Sequence, residues 1–87
     1  MNKTERLLID KDYITFDKEA EIEQWTKIVE NIDLLIEIEN EKIISARLYV
    51  GNIKKKEQLK QIKKAFKVLV KDVKTIDPKS LSLFLLK

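Results

Sequence analysis

The chain of 87 residues contains no cysteine and no histidine. Without cysteine, disulfides, thiol catalysis and thiolate metal sites are excluded. Without histidine, the commonest general base and the commonest transition-metal ligand are missing. Gly51 is the only glycine, so a glycine-rich phosphate loop is also excluded. We therefore expect no catalytic residues, no cofactor, no metal site and no small-molecule substrate, and predict that the protein is not an enzyme.

Long apolar runs are absent as well. A run such as Leu83–Leu86 is far shorter than the roughly 20 residues that cross a bilayer. The first residues, Met1–Arg6, are not followed by the apolar segment of a secretory signal. With 44% apolar and 38% charged residues, the composition is that of a globular protein. These features predict one soluble, cytoplasmic domain spanning residues 1–87, with no membrane span.

Charge is distributed very unevenly along the chain. Residues 52–76 hold nine lysines against two acidic residues, a net charge of +7, whereas residues 1–50 carry −5. The net charge of +3 therefore conceals a strong internal asymmetry. Such an asymmetry bears on binding partners more than the total charge does.

Two segments have the apolar spacing of amphipathic helices. The first helix is predicted to follow Asp17 as its N-cap, with a core role for Trp25. Its apolar positions are Ile22, Trp25, Ile28, Val29 and Ile32. The second is predicted after Asn52 and ends before Pro78. Its predicted buried face consists of Leu59, Ile62, Phe66, Leu69, Val73 and Ile76.

Residues 32–50 between them fit two structures. A helix would give a seven-residue apolar repeat but would place the polar stretch 39–42 in its middle. A hairpin with a three-residue loop at Asn40–Lys42 puts eight apolar residues on one face. Its predicted pairs are Ile38–Ile44, Ile36–Ala46, Leu34–Leu48 and Ile32–Val50. The hairpin accounts for more residues and is favoured.

The chain ends complete the predicted fold. Residues 7–9 and 13–16 are expected to be extended, and alternating leucines in 80–85 predict a closing strand. Alternatively, Asp77 caps a short helix that begins at Pro78. The resulting order β-α-β-β-α-β is that of ferredoxin-like folds. We predict an α+β protein with two helices on the Ile36/Leu48 face of a small antiparallel sheet; the alternative is an all-α helical hairpin or three-helix bundle.

The opposite face of this sheet is a candidate protein interface. Its predicted members are Leu35, Ile43, Arg47, Tyr49, Phe84 and Leu86. Large apolar groups on an uncovered face favour binding to a partner protein or to a second copy in a homodimer. Glu37 and Arg47 on this face are expected to form an ion pair. The primary functional prediction is a small non-catalytic binding protein acting through protein–protein contacts, of the accessory or inhibitor kind that phages and plasmids encode.

The second predicted helix also carries a row of lysines. They are Lys56, Lys60, Lys63, Lys64, Lys67, Lys71 and Lys74. Such a row is a candidate contact for the phosphate backbone of a nucleic acid or for an acidic partner. The alternative function is therefore sequence-nonspecific nucleic-acid binding. A solvated face in a lysine-biased composition is the competing interpretation, and the expected absence of aromatic residues along the row argues against base stacking.

Overall fold

The computed structural model describes residues 2–16, 19–50 and 55–81, with the backbone alone at 55–57, 80 and 81. Within these ranges the elements are α1 (Lys3–Asp10), β1 (Ile14–Thr15), β2 (Glu23–Val29), β3 (Ile32–Glu39), β4 (Lys42–Tyr49), α2 (Lys55–Ile76) and a short 3₁₀ helix (Pro78–Leu81). The strands form one antiparallel sheet in the order β1-β2-β3-β4. The predicted α+β class is confirmed, and the all-α alternative is wrong.

Two tight turns make the sheet a simple meander. Glu30–Asn31 connects β2 to β3, and Asn40–Glu41 connects β3 to β4, with positive φ at all four residues. Positive φ at both central residues matches the twist of a two-residue hairpin. Asparagine tolerates this region better than most residues, which accounts for Asn31 and Asn40, whereas Glu30 and Glu41 adopt it at a steric cost. The predicted β3–β4 hairpin is confirmed, although its loop has two residues rather than three.

A β-bulge changes which residues of β4 face the core. The predicted pairs Leu34–Leu48 and Ile36–Ala46 are present, but a register shift between Glu37 and Ile38 brings Ile38 opposite Ile43. An extra residue in one strand reverses the faces of the residues beyond it. Ile43 is therefore buried in the core and Ile44 is exposed, the reverse of the prediction. The β3–β4 pairing begins at Asp33–Tyr49, so the predicted pair Ile32–Val50 is not part of it.

The segment predicted as the first helix is instead strand β2. The spacing of Trp25, Val29 and Ile32 is that of a helix face. In a strand, however, Trp25 and Val29 also share one face, and Ile32 pairs with Val29 across the turn. The burial of these three residues thus satisfies both periodicities. The β-branched residues between and beside them favour the strand. The observed order, α-β-β-β-β-α, therefore replaces the predicted ferredoxin-like order.

Helix α1 forms where an extended segment was predicted at residues 7–9. The Asn2 side chain accepts a hydrogen bond from the Glu5 backbone N–H at 2.8 Å and donates one to the Glu5 carboxylate at 3.3 Å. The first bond satisfies a backbone donor of the helix that would otherwise be unpaired, and the second holds the Asn2 side chain in place. Leu8 on its inner side is fully buried. The predicted extended segment at 13–16 contains the short strand β1.

Helix α2 and α1 share one hydrophobic core with the inner face of the sheet. This core contains Leu8, Tyr13, Trp25, Ile32, Leu34, Ile36, Ile38, Ile43, Ala46, Ala65, Leu69 and Val73. The predicted extent of α2 is confirmed, but Leu59 and Phe66 are exposed, while Ala65 and Asp72 are buried. After α2 the chain enters the 3₁₀ helix at Pro78, as the alternative for this segment predicts. Residues 80 and 81 therefore do not form the predicted strand, and 82–85 lie outside the described residues.

Candidate functional site

One face of the sheet is turned away from the core. Side chains alternate along a strand, so the neighbours of the buried Trp25, Leu34 and Ile36 point to the opposite side. We call this surface the outer sheet face and define it by its large apolar residues: Ile14, Phe16, Ile28, Leu35 and Tyr49. It combines residues from β1 through β4, because Thr26 lies opposite both Ile14 and Leu35, and Asp33 lies opposite both Ile28 and Tyr49.

The outer sheet face is hollow at its centre and apolar at its rim. A depression of about 590 Å³ is lined by all five of these residues together with Asp12, Gln24, Thr26, Lys27 and Asp33. Leu35 forms its floor and is only 5% exposed, whereas Phe16 and Ile28 are 84% and 71% exposed. A smaller hollow of about 170 Å³ shares Phe16 and Gln24 with it and extends to Ala20 and Ile22. The face thus has projecting apolar side chains beside a recess.

Charged residues support one edge of this face. Arg47 Nη2 lies 2.6 Å from Glu37 Oε1, which confirms the predicted ion pair. The guanidinium group of Arg47 also lies 5.7 Å from the centre of the Tyr49 ring. Because the Arg47 side chain is half exposed, we expect little net stability from the pair. The pair and the ring contact together place Arg47 between Glu37 and Tyr49 at the rim of the face.

The predicted interface residues are only partly brought together. Leu35, Arg47 and Tyr49 lie on the outer sheet face, whereas Ile43 lies in the core. Phe84 and Leu86 lie outside the described residues. Sequence reasoning missed the contributions of Ile14, Phe16 and Ile28, because it assigned Ile28 to a helix. The alternation of Thr26 and Ile28 with inward Trp25 and Val29 is the signal that could have revealed them.

A buried polar cluster fixes the β1 end of this face to α2. The Asp72 carboxylate accepts a hydrogen bond from the Tyr13 hydroxyl at 3.0 Å and one from Lys27 Nζ at 2.8 Å. Asp72 is 3% exposed and Tyr13 is 2% exposed. Lys27 Nζ also lies 4.9 Å from the centre of the Tyr13 ring. The cluster joins residues 59 positions apart and so positions Ile14 and Phe16, which follow Tyr13 directly.

Burial has a clear effect on Tyr13. Loss of hydration raises the pKa of its phenol far above the usual value, and the adjacent Asp72 carboxylate raises it further by charge repulsion and by accepting the phenol proton in a hydrogen bond. Tyr13 therefore remains a hydrogen-bond donor throughout the physiological pH range. The arrangement is that of a structural contact, since the phenol is enclosed by the core.

The lysines of α2 form a second surface. Lys60, Lys63, Lys64, Lys67, Lys71 and Lys74 are all exposed, and we call them the lysine face. The side chain of Lys56 lies outside the described residues. Lys64 Nζ lies 3.9 Å from Glu30, and both side chains are largely solvated. Asp72 points inward to Tyr13 and Lys27, so it leaves the positive charge of the lysine face intact.

The described ranges contain neither a cluster of metal ligands nor a membrane-spanning helix. No group of three or more acidic side chains there is arranged to hold a metal ion. Neither α1 nor α2 combines the length and apolar character needed to cross a bilayer. Comparison with protein-family models, with curated proteins and with solved structures found no match.

Proposed function

We propose that the protein is a non-catalytic binding protein that acts through protein–protein contact, with the outer sheet face as its docking surface and a second copy of the chain as the occupant. The observation that carries this proposal is the one-sided packing of the sheet. Both α1 and α2 contribute to the core on the inner face, while four large apolar side chains of the outer sheet face are 49–84% exposed. A contiguous apolar patch of this kind is typical of an interaction site.

The free energy gained by burying the outer sheet face is comparable to the cost of association. Burying the exposed part of Ile14, Phe16, Ile28 and Tyr49 contributes about 1–2 kcal/mol for each side chain. A two-fold dimer buries eight of them, about 8–16 kcal/mol in total, against an association cost of about 4–15 kcal/mol. A micromolar dimer needs a net gain of about 8 kcal/mol, which these ranges allow when the apolar gain is near its upper limit and the association cost is near its lower limit. We therefore expect a weak dimer rather than a permanent one.

The relief of the face favours a second copy as the occupant. In a two-fold dimer the same patch must be complementary to itself. Phe16 and Ile28 project from the face, and the depression above Leu35 is recessed beside them. The projecting side chains of each copy can therefore enter the recess of the other. Glu37 and Arg47 neutralise each other within one chain and can exchange partners across the axis without leaving a charge unpaired.

Light scattering coupled to size-exclusion chromatography tests the proposal. At about 50 µM we expect the wild-type mass to approach twice the monomer value of 10.3 kDa. Ile28→Lys places a charge at the centre of the interface and should return the mass to that of the monomer. Ile9→Lys is the matched control, because Ile9 is an exposed isoleucine of α1 that does not line the depression. A wild-type mass of 10.3 kDa, or equal dissociation by both variants, contradicts the proposal.

A further inference from the structure

The two faces of α2 are chemically opposite. At about 100° per residue, the six members of the lysine face fall within an arc of about 100°. The buried residues Ala65, Leu69 and Val73 occupy the other side. Lysines three and four residues apart repel one another, so this arrangement opposes helix stability. An anionic ligand would relieve that repulsion.

Within α2 itself, little negative charge is placed to do so. The sequence of α2 contains two acidic residues, Glu57 and Asp72. The side chain of Glu57 is not among those described, and Asp72 is buried and bound to Lys27 and Tyr13. On the lysine face itself, Lys64 has a distant, solvated contact with Glu30 at 3.9 Å. The Asp72 side chain points into the core, so its negative charge does not offset the lysines. The lysine face is therefore more strongly cationic than the net charge of the α2 sequence indicates.

An exposed aromatic ring borders the lysines. Phe66 is 44% exposed, although the helical spacing predicts it to be buried. It follows Lys63 by three residues and precedes Lys67 directly, so it lies at the edge of the lysine face. Leu59, seven residues earlier on the same side, is 63% exposed. The structure therefore supplies the aromatic group that the sequence pattern seemed to lack.

We propose that α2 binds single-stranded nucleic acid, with the lysine face along the phosphates and a base stacked on Phe66. Cationic side chains beside an accessible aromatic ring are the combination that proteins use to bind single strands. Lys60 and Lys74 are separated by about 21 Å along the helix axis, enough for several phosphates. A ring at the edge of the row reaches an unpaired base but not one stacked within a duplex. Phosphate contacts and stacking on an aromatic ring do not read the edges of the bases, so we expect the binding to be independent of base sequence.

Fluorescence anisotropy with a labelled 20-nucleotide DNA of mixed sequence, single-stranded or annealed, tests this proposal. We expect tighter binding to the single strand at about 50 mM salt. The slope of log affinity against log salt should approach about −4 if six lysines contact phosphates, at about −0.7 each. Phe66→Ala should weaken single-strand binding at least about 5-fold while leaving any duplex binding unchanged. Phe66→Leu, which keeps the apolar bulk but not the aromatic ring, should behave in the same way.

A charge-matched pair of double variants separates the lysine face from net charge. Lys67→Glu with Lys71→Glu should abolish binding. Lys3→Glu with Lys42→Glu, which makes the same change in net charge at exposed sites outside α2, should retain most of it. Circular dichroism verifies that each variant is folded.

Three results would overturn the proposal. The first is no binding to the single strand at about 50 mM salt. The second is equal affinity for strand and duplex with no effect of Phe66→Ala. The third is capture of the protein by anionic phospholipid vesicles or polyglutamate with a higher affinity than by DNA. None of these bears on the outer sheet face, which lies on the side of the sheet away from α2.

Discussion

Removal of the Asp72 carboxylate is the most informative single perturbation of the fold. In Asp72→Ala the Tyr13 hydroxyl loses its acceptor and the Lys27 ammonium group loses its counterion. Breaking a buried ion pair by removing one partner costs about 3–5 kcal/mol. The Lys27 side chain retains 16% exposure and can partly rehydrate, so we expect a loss near the lower end, about 3 kcal/mol. A chain of this length has a total stability of about 4–13 kcal/mol, so the loss is a large fraction of it.

Urea unfolding followed by the fluorescence of the buried Trp25 measures this loss. Lys71→Ala is the matched control, since it alters the preceding, exposed residue of α2 and should change the free energy of unfolding by no more than about 0.5 kcal/mol. Replacing the whole cluster with Tyr13→Phe, Lys27→Met and Asp72→Leu should restore stability to within about 1–2 kcal/mol of wild type, because no buried charge remains unpaired. A cost below about 1 kcal/mol for Asp72→Ala refutes the reasoning.

Three further predictions concern pH, a turn and α1. Because the pKa of Tyr13 is raised in the folded state, its stability contribution is fully present below pH 10 and is lost as the pH rises further, where the unfolded chain ionises first. Tyr13→Phe should therefore show a shallower fall in the free energy of unfolding between about pH 10 and 11.5 than the wild-type protein. Glu41→Gly should raise the free energy of unfolding by about 0.5–1 kcal/mol, since glycine adopts the positive φ of this turn without steric cost; a loss of stability counts against the turn geometry. Leu8→Ala should lower the melting temperature markedly, at a cost of about 2–4 kcal/mol, whereas Ile9→Ala should cost well under 1 kcal/mol; equal effects contradict the orientation of α1.

Local patterns predicted the parts of the fold that depend on neighbouring residues. The β3–β4 hairpin was predicted from eight apolar residues in four pairs, two of which form, Leu34–Leu48 and Ile36–Ala46. Helix α2 was predicted from a long run with helical spacing. Strand β2 was missed, because Trp25 and Val29 share a face in both a strand and a helix and the helical spacing was given more weight than the alternation with Thr26 and Ile28. The turn at Glu30–Asn31, which decides between them, lacks the glycine that usually marks such a turn.

The candidate sites were predicted less completely for a related reason. The β-bulge that moves Ile43 into the core depends on pairing with β3 and leaves no local signature. The contact of Tyr13 with Asp72 spans 59 residues and has no counterpart in any short motif. An acidic residue at the apolar side of α2, three positions after Leu69 and four before Ile76, was the available signal for a buried ion pair. The exposure of Phe66 depends on how α2 is rotated against the sheet, which its own spacing does not determine.

The proposal that the outer sheet face docks onto a second copy is tested most directly by nuclear magnetic resonance at two concentrations. Amide chemical shifts of ¹⁵N-labelled protein would be compared at about 10 µM and about 500 µM. The account predicts concentration-dependent shifts centred on Ile14, Thr26, Ile28, Leu35 and Tyr49, with the amides of residues 63–74 unchanged. Spectra that do not change with concentration, or whose largest changes lie on α2, would contradict it.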